Sequence, residues 1–412
     1  MVRDVRMRGF RDRAEVEDVV RLLDARIAPL PAETVPLAQA GERVLAGDVV
    51  AEVNVPGFDR AAMDGYALRG SETFGAGEYN PLELRVVGES FPGRPFGGRV
   101  EAGQAVRIMT GAPLPAGADA VLQAEAAEEV EGQLRITEAV PPGRHVGRVG
   151  EDVPAGTVLL KAGRRLRPQD LGVLASVGCG TVAVVRRPVV AILITGNELL
   201  PCGVKPEGHR IVDSNSVMLT ALVQRDGGQT IVSPILRDDA DVIRQTLTTM
   251  LRDRAADVVL LSGGSSVGQE DHAPRVVAEL GEFPIHGVAL RPASPAGLGF
   301  VQGKPVFLMP GNPVSCLCAY DLFAGRAVRR LGGRSPELPY RSELLPLGHK
   351  LSSAVGRVDY VRVAVREGQV EPLATSGASV LSSTTRADGF VLVPLDSEGY
   401  PPGEQVRVYF YD

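Results

Sequence analysis

The chain has no tryptophan and only four lysines, at positions 161, 205, 304 and 350, although arginine is abundant. It also lacks long apolar runs. Arg186 and Arg187 interrupt the best candidate well short of the roughly 18 residues a membrane helix needs. The opening residues Met1-Val2-Arg3-Asp4-Val5-Arg6 carry no apolar h-region of a secretory signal, so a soluble, cytoplasmic protein is the expectation. The net charge of −6 gives no general attraction to nucleic acid, whose partners present a basic face. The N-terminal arginines alternate with acids, as on a solvated surface. Cys179, Cys202, Cys316 and Cys318 form no C-x-x-C pair and no zinc-like grouping, which is the pattern of reduced thiols. The absence of a Gly-Lys-Ser/Thr phosphate loop excludes ordinary ATPase chemistry. No histidine falls in a triad pattern, and His272 reads as a surface or structural residue.

What is present is enough for several cores. At 412 residues with 44% hydrophobic content, about three or four domains are expected. The chain is organised around Asp257-Val258-Val259-Leu260-Leu261-Ser262-Gly263-Gly264-Ser265-Ser266-Val267-Gly268-Gln269-Glu270-Asp271. A short β-branched run predicts a strand buried on both faces. The glycines that follow bare backbone N–H groups to an approaching anion, and two carboxylates lie just beyond.

Around this stretch, residues 14–27 place Val16, Val19, Val20, Leu23 and Ile27 at helical spacing. That stripe needs a cover, either the rest of its own subunit or a partner. The segment 53–68 is a loop with an Asp-Gly turn, and 81–149 alternates short strands with Pro-Gly and Gly-Gly turns, predicting a small β module. Residues 168–178 predict a helix with proline at its start and glycine past its end. From Val189 the texture becomes strand–turn–helix, which predicts a parallel sheet covered on both faces. From about Leu338 it returns to short strands of a small barrel or sandwich. Its hydroxyl-rich loop 376–389 suits an oxyanion or is a solvated turn.

In open α/β sheets ligands bind beyond the carboxyl ends of the strands. The turns Thr195-Gly196-Asn197-Glu198, Ser262-Gly263-Gly264-Ser265 and Pro310-Gly311-Asn312-Pro313 all fall at such ends. Glu198, Asp238 and Asp271 are oxygen donors on strand-end turns and suit one hard cation such as Mg²⁺. Arg291 can hold an oxyanion through its planar fork. These residues predict catalysis by positioning and charge neutralisation, without a protein nucleophile.

Ala62-Met63-Asp64-Gly65-Tyr66-Ala67, Ile108-Met109-Thr110-Gly111-Ala112-Pro113, Gly150-Glu151-Asp152, Thr195-Gly196-Asn197-Glu198-Leu199, Ser262–Gly268 and Leu308–Ser315, taken in that order, resemble the molybdopterin molybdenumtransferase family, MoeA and the gephyrin E domain. The resemblance covers essentially the whole chain. It implies a multidomain α/β plus β protein and an elongated homodimer. Residues 1–60 and 150–185 would form a discontinuous linker and dimerisation region, and 61–149 a small β domain. A MogA-like doubly wound α/β molybdopterin-binding domain would span 186–334, and a C-terminal β-barrel 335–412.

The implied reaction inserts molybdate into adenylylated molybdopterin and, with Mg²⁺, releases AMP and molybdenum cofactor. By motif, Asp238, Asp271 and Glu198 would serve the metal and pyrophosphate end. Gly263, Gly264, Ser265 and Gly268 would cradle the pterin phosphate. Arg291, Pro310, Gly311, Asn312, Pro313, Ser315, Arg362 and Ser383 would bind molybdate and the dithiolene. Asp64, Thr110 and Asp152 would act from the other domains, contributed by the partner subunit. A MogA-type adenylylating protein and acceptor molybdoenzymes are the implied protein partners. Two positions depart from the family pattern: Asn197 stands where aspartate is common, and Gly287 where one of two lysines is expected. The neighbouring readings are adenylylation of molybdopterin from ATP, or a non-enzymatic scaffold.

Overall fold

The computed structural model describes residues 13–264, 272–374 and 377–411, the side chain of residue 374 apart. Contacts divide the chain into two compact units, one of Met1–Glu33, Glu42–Val44 and Ala183–Asp412, the other of Thr34–Gly41 and Leu45–Val182.

The chain enters the first unit through helix α1 (Val16–Arg26). The second unit carries a six-stranded sheet: β1 (Gly65–Leu68), β2 (Leu82–Ser90), β3 (Gln104–Ile108), β4 (Ala120–Gln123), β5 (Ala127–Val130) and β6 (Gln133–Ile136), in the order β4-β1-β3-β2-β6-β5. All neighbours run antiparallel except β2 and β3, which are parallel. Alternation divides it cleanly: Tyr66, Leu68, Leu84, Leu122, Leu134 and Ile136 form one core, and Ala67, Ile108 and Val121 belong to another. Helix α2 (Pro168–Ser176) begins as expected, with proline in its first turn and Asp170 accepting the Arg167 N–H at 2.9 Å.

Returning to the first unit, the sheet is built from β7 (Val189–Ile194), β8 (Gln229–Val232), β9 (Val258–Ser262), β10 (Glu282–His286), β12 (Gly297–Val301) and β13 (Lys304–Met309), with the short β11 (Leu290–Arg291) between β10 and β12 in sequence. The spatial order is β8-β7-β9-β13-β12-β10. The first four strands are parallel, and β12 and β10 are antiparallel additions at one edge. Burial on both faces explains the near-continuous apolar runs. Along β7 and β9, Val190, Ile192, Ile194, Val258 and Leu260 serve one core, while Ala191, Leu193, Val259 and Leu261 serve the opposite one.

Helices α4 (Ala240–Arg252) and α5 (Ala273–Leu280) cover the second face through Ile243, Leu247, Val276 and Val277. On the first face lie α3 (Asn215–Arg225), α6 (Pro313–Ala319) and α7 (Gly325–Leu331). Val19 and Leu23 of α1 are buried there too, so the unit itself covers that apolar stripe. Arg326 pairs with Asp24 at 2.7 Å, and Arg330 donates to the carbonyls of Asp24 and Ile27. Between α6 and α7 the chain passes through a π-turn, Tyr320–Ala324.

The C-terminal strands are β14 (Ser342–Pro346), β15 (Val358–Arg366), β16 (Gln369–Ala374), β17 (Gly389–Val393) and β18 (Gln405–Phe410), with helix α8 (Ser382–Thr385) before β17. Their order is β11-β15-β17-β18-β14, with β16 paired to β15. A parallel bridge from Leu347 to Val370 brings the chain after β14 onto β16. The π-turn is anchored to this sheet: Tyr340 and Tyr360 donate to the carboxylate of Asp321 at 2.9 and 3.1 Å.

Candidate active site

The register of the sheet places the candidate turns at one level. Ile194 on β7 lies beside Ser262 on β9, and Ser262 beside Met309 on β13. The next residues of each strand, Thr195, Gly263 and Pro310, therefore leave the same edge. Thr195 and Gly263 border a cleft of about 640 Å³ that also includes Glu198, Asp238, Gly264, Gly311, Asn312 and Pro313. The backbone at Gly263 has a φ of +98°, and a Cβ there would lie 2.1 Å from the carbonyl oxygen of Thr195. Only glycine meets both constraints. Gly264 follows at φ +57°.

Glu198 and Asp238 supply carboxylates to this cleft. Asn197 clips the second one in place: its N–H donates to Asp238 Oδ2 at 3.1 Å, and its side-chain oxygen lies 3.5 Å from the Asp238 N–H. The amide at position 197 thus sits beside a carboxylate without adding a second negative charge. Among the described residues, no three of His, Cys, Asp and Glu gather closely enough to hold a metal by themselves. The expected site residues Ser265, Gly268 and Asp271 lie outside the described residues.

Two cleft residues escaped the sequence reading. Asn215, at the first turn of α3, is 7% exposed and donates through Nδ2 to Ser262 Oγ at 2.9 Å and to the Gly311 carbonyl at 2.8 Å. One side chain therefore ties α3 to two of the strand-end turns. Asp213, just before it, also lines the cleft. The available signal was a cluster of helix-capping residue types, Asp213-Ser214-Asn215, preceding a helix on the same sheet edge. Beneath the floor, burial pushes the Cys316 thiol up to about 12, which keeps it protonated and unreactive.

A second cavity of about 350 Å³ is lined by Arg291 to Pro295, Pro310, Gly311, Asn312, Ser315, Gly377 and Ala378. Gly311 and Asn312 border both cavities. Arg291 is ion-paired with the buried Asp359, which also accepts from Ser353 at 2.6 Å. Two residues expected with this group are placed in the interior: Arg362 on β15 is 0% exposed, and Ser383 is 5% exposed with its hydroxyl donating to the Val380 carbonyl at 2.6 Å. Neither is among the residues bordering the cavity. Gly287 does not border it either. Its φ is +91° and its N–H donates to Ala296, so a lysine there would be strained.

Within the second unit, Asp64 Oδ1 accepts both the N–H and the hydroxyl of Thr110, each at 2.7 Å. These donors hold the Asp64 carboxyl below its ordinary value, the backbone N–H contributing most. Thr110 borders a cavity of about 410 Å³ with Arg60, His145 and Glu151. Arg60 and Glu151 form an ion pair at 3.0 Å. Asp152 does not border that cavity, and its backbone N–H donates to the Val55 carbonyl at 3.1 Å.

Comparison with known proteins matches three regions of the chain. Residues 14–178 match the MoeA N-terminal region (domain I and II), 191–330 the family described as a probable molybdopterin binding domain, and 345–411 the MoeA C-terminal region (domain IV). Molybdopterin molybdenumtransferase 2 of Mycobacterium tuberculosis is 35% identical over 91% of this chain and 94% of its own. The molybdopterin molybdenumtransferase of Haemophilus influenzae is 31% identical over 94% and 96%. The crystal structure of the molybdopterin biosynthesis MoeA protein from Pyrococcus horikoshii superposes with a TM-score of 0.84 at 33% identity, covering 97% of this chain and 100% of that one. With relatives of this identity spanning nearly its full length, the chain belongs to the MoeA family of molybdopterin molybdenumtransferases, enzymes of molybdenum cofactor biosynthesis.

Proposed function

We propose that this protein inserts molybdate into adenylylated molybdopterin, with Mg²⁺-dependent cleavage of the pyrophosphate bond and release of AMP. The observation that carries the reading is a pair of adjoining cavities that share the turn Gly311–Asn312. One offers glycine backbone with two carboxylates on its wall, and the other offers Arg291. The turn at Gly264 offers its backbone to a phosphate, which such concavities favour, while the Gly263 N–H is spent on the Met309 carbonyl at 3.4 Å. Arg291 retains donors beyond those used on Asp359, which suits the tetrahedral molybdate anion. Ser315, Asn312 and Pro313 would shape the space between that anion and the dithiolene. Arg362 and Ser383 would act from beneath, through the residues they support.

The donor set fits Mg²⁺ in one particular way. This ion commonly takes one or two protein carboxylates and completes its shell with substrate phosphate oxygens and water. Glu198 and Asp238 supply that number of carboxylates to the cleft, and Asp271 is assigned the same role from its motif. When bound, the ion would neutralise charge developing on the phosphate oxygens. Asn197 contributes by fixing the orientation of Asp238. Homodimerisation, a cytoplasmic site of action, and supply of the adenylylated substrate by a MogA-type protein belong to the same reading.

The test combines purified protein, Mg²⁺, molybdate and adenylylated molybdopterin, and measures AMP. Molybdate-dependent AMP release supports the reading, and its absence from folded protein overturns it. Incubation with ATP and unmodified molybdopterin separates it from adenylylation, since the proposed enzyme forms no adenylylated product.

A further inference from the structure

The cleft beside Gly263 has a polar wall that neither phosphate nor cation uses. Asp213 borders it and is only 8% exposed. Its Oδ1 accepts the Ser216 N–H at 3.1 Å. No described arginine, lysine or histidine pairs with it, and its other oxygen accepts no hydrogen bond among the described residues. Carboxylates this deeply buried are ordinarily paired or well hydrogen-bonded. The second oxygen opens onto the cleft, where it takes its donors from water or from a ligand that displaces the water.

We infer that Asp213 recognises the pyrimidine edge of a 2-amino-4-oxopterin. The inference rests on the reading that this cleft accepts molybdopterin. That edge carries two adjacent donors, the ring N3–H and the exocyclic amine. Their arrangement resembles one side of a guanidinium, which a carboxylate accepts with both oxygens. Oδ2 has its lone pairs open, and Oδ1 keeps one beyond that used by Ser216. Asn215 acts as the positioning residue. Its two hydrogen bonds, to Ser262 and Gly311, fix the start of α3 against the turns that hold the rest of the ligand. Asp213 thus selects the heterocycle at one end while the glycine turn takes the phosphate at the other.

Asp213→Asn tests this with little change of shape. Its carbonyl oxygen can still accept from Ser216, while an NH₂ group replaces the open oxygen and confronts the donors of the pterin. The Kd for molybdopterin, read by isothermal titration calorimetry, should rise roughly tenfold or more, with the Kd for AMP unchanged. Asp213→Glu should retain part of the affinity. Wild-type protein should also prefer pterin to lumazine, in which an oxo group replaces the 2-amino group, and the Asn variant should lose that preference. Molybdopterin binding by the Asn variant at wild-type strength overturns the inference and leaves the function standing. Should that variant fail to fold, equal wild-type affinity for pterin and lumazine overturns the inference. Failure of the wild type to bind molybdopterin at all overturns the reading of the cleft itself.

Discussion

At the scale of single residues, the cleft depends on backbone that only certain side chains permit. Gly263→Ala combines a left-handed φ with a contact far inside van der Waals distance. It should cost about 1–3 kcal/mol from backbone strain before the clash is counted. Thermal unfolding should therefore show a lower Tm, accompanied by loss of phosphate-end binding. Thr110→Val makes a separate prediction in the second unit. It keeps the principal backbone N–H to Asp64 and deletes the hydroxyl donor. Because the folded Asp64 pKa is depressed, its contribution to stability is present above the unfolded value and is lost as pH falls through the folded one. In the Val variant the carboxyl should titrate closer to 3.8 in a ¹³C NMR experiment, and an unchanged titration would refute that role for the hydroxyl. The sequence announced Gly263, Glu198 and Asp238 because glycine turns and acids at strand ends carry a local signature. It did not announce Asn215, whose partners lie 47 and 96 positions away, or Asp213, whose place on the cleft wall is set by the tertiary fold. Nor did it show that Arg362 would be interior, since alternation along β15 does not reveal which face meets another layer.

Elements were legible where a periodic pattern and a two-sided core agreed. The apolar run of β9 and the proline-led start of α2 are such cases; at α4, Asp239 accepts from the N–H groups of Asp241 and Val242. Strands β10 and β12 were hidden because their sequences do not look like strands. Gly299 is one reason: a Cβ there would sit 2.4 Å from Val277 of α5, so close helix packing excludes the residue types that favour strands. The π-turn was hidden for a different reason, since its anchor at Asp321 is supplied by Tyr340 and Tyr360 from later in the chain. For α1, the amphipathic stripe was readable and its cover was not. Leu23 is fully buried against the α/β core. Leu23→Ala should cost about 2–5 kcal/mol, visible as a shift of the urea midpoint for the first unit. A midpoint unchanged from wild type would show that α1 is not held as described.

On the scale of the whole molecule, the described residues hold no disulfide and no metal staple. The four cysteines are free thiols, and no described cluster holds a metal without substrate. EDTA should therefore abolish AMP release, restored by added Mg²⁺, while moving the Tm of the substrate-free protein by less than about 2 °C, a shift worth at most about 1–2 kcal/mol for a chain of this size. A large drop in Tm would reveal a structural metal. The turn Gly311–Asn312 carries a consequence for how such a protein can change. Because both cavities are bounded by the same two residues, substitutions there act on two ligands at once, and their free energies should not add to those of either neighbouring wall. Glu198 belongs to one wall and Ser294 to the other, so each can vary nearly independently. The shared turn cannot: any sequence that retunes one anion through it must accept, or compensate for, an altered fit to the other.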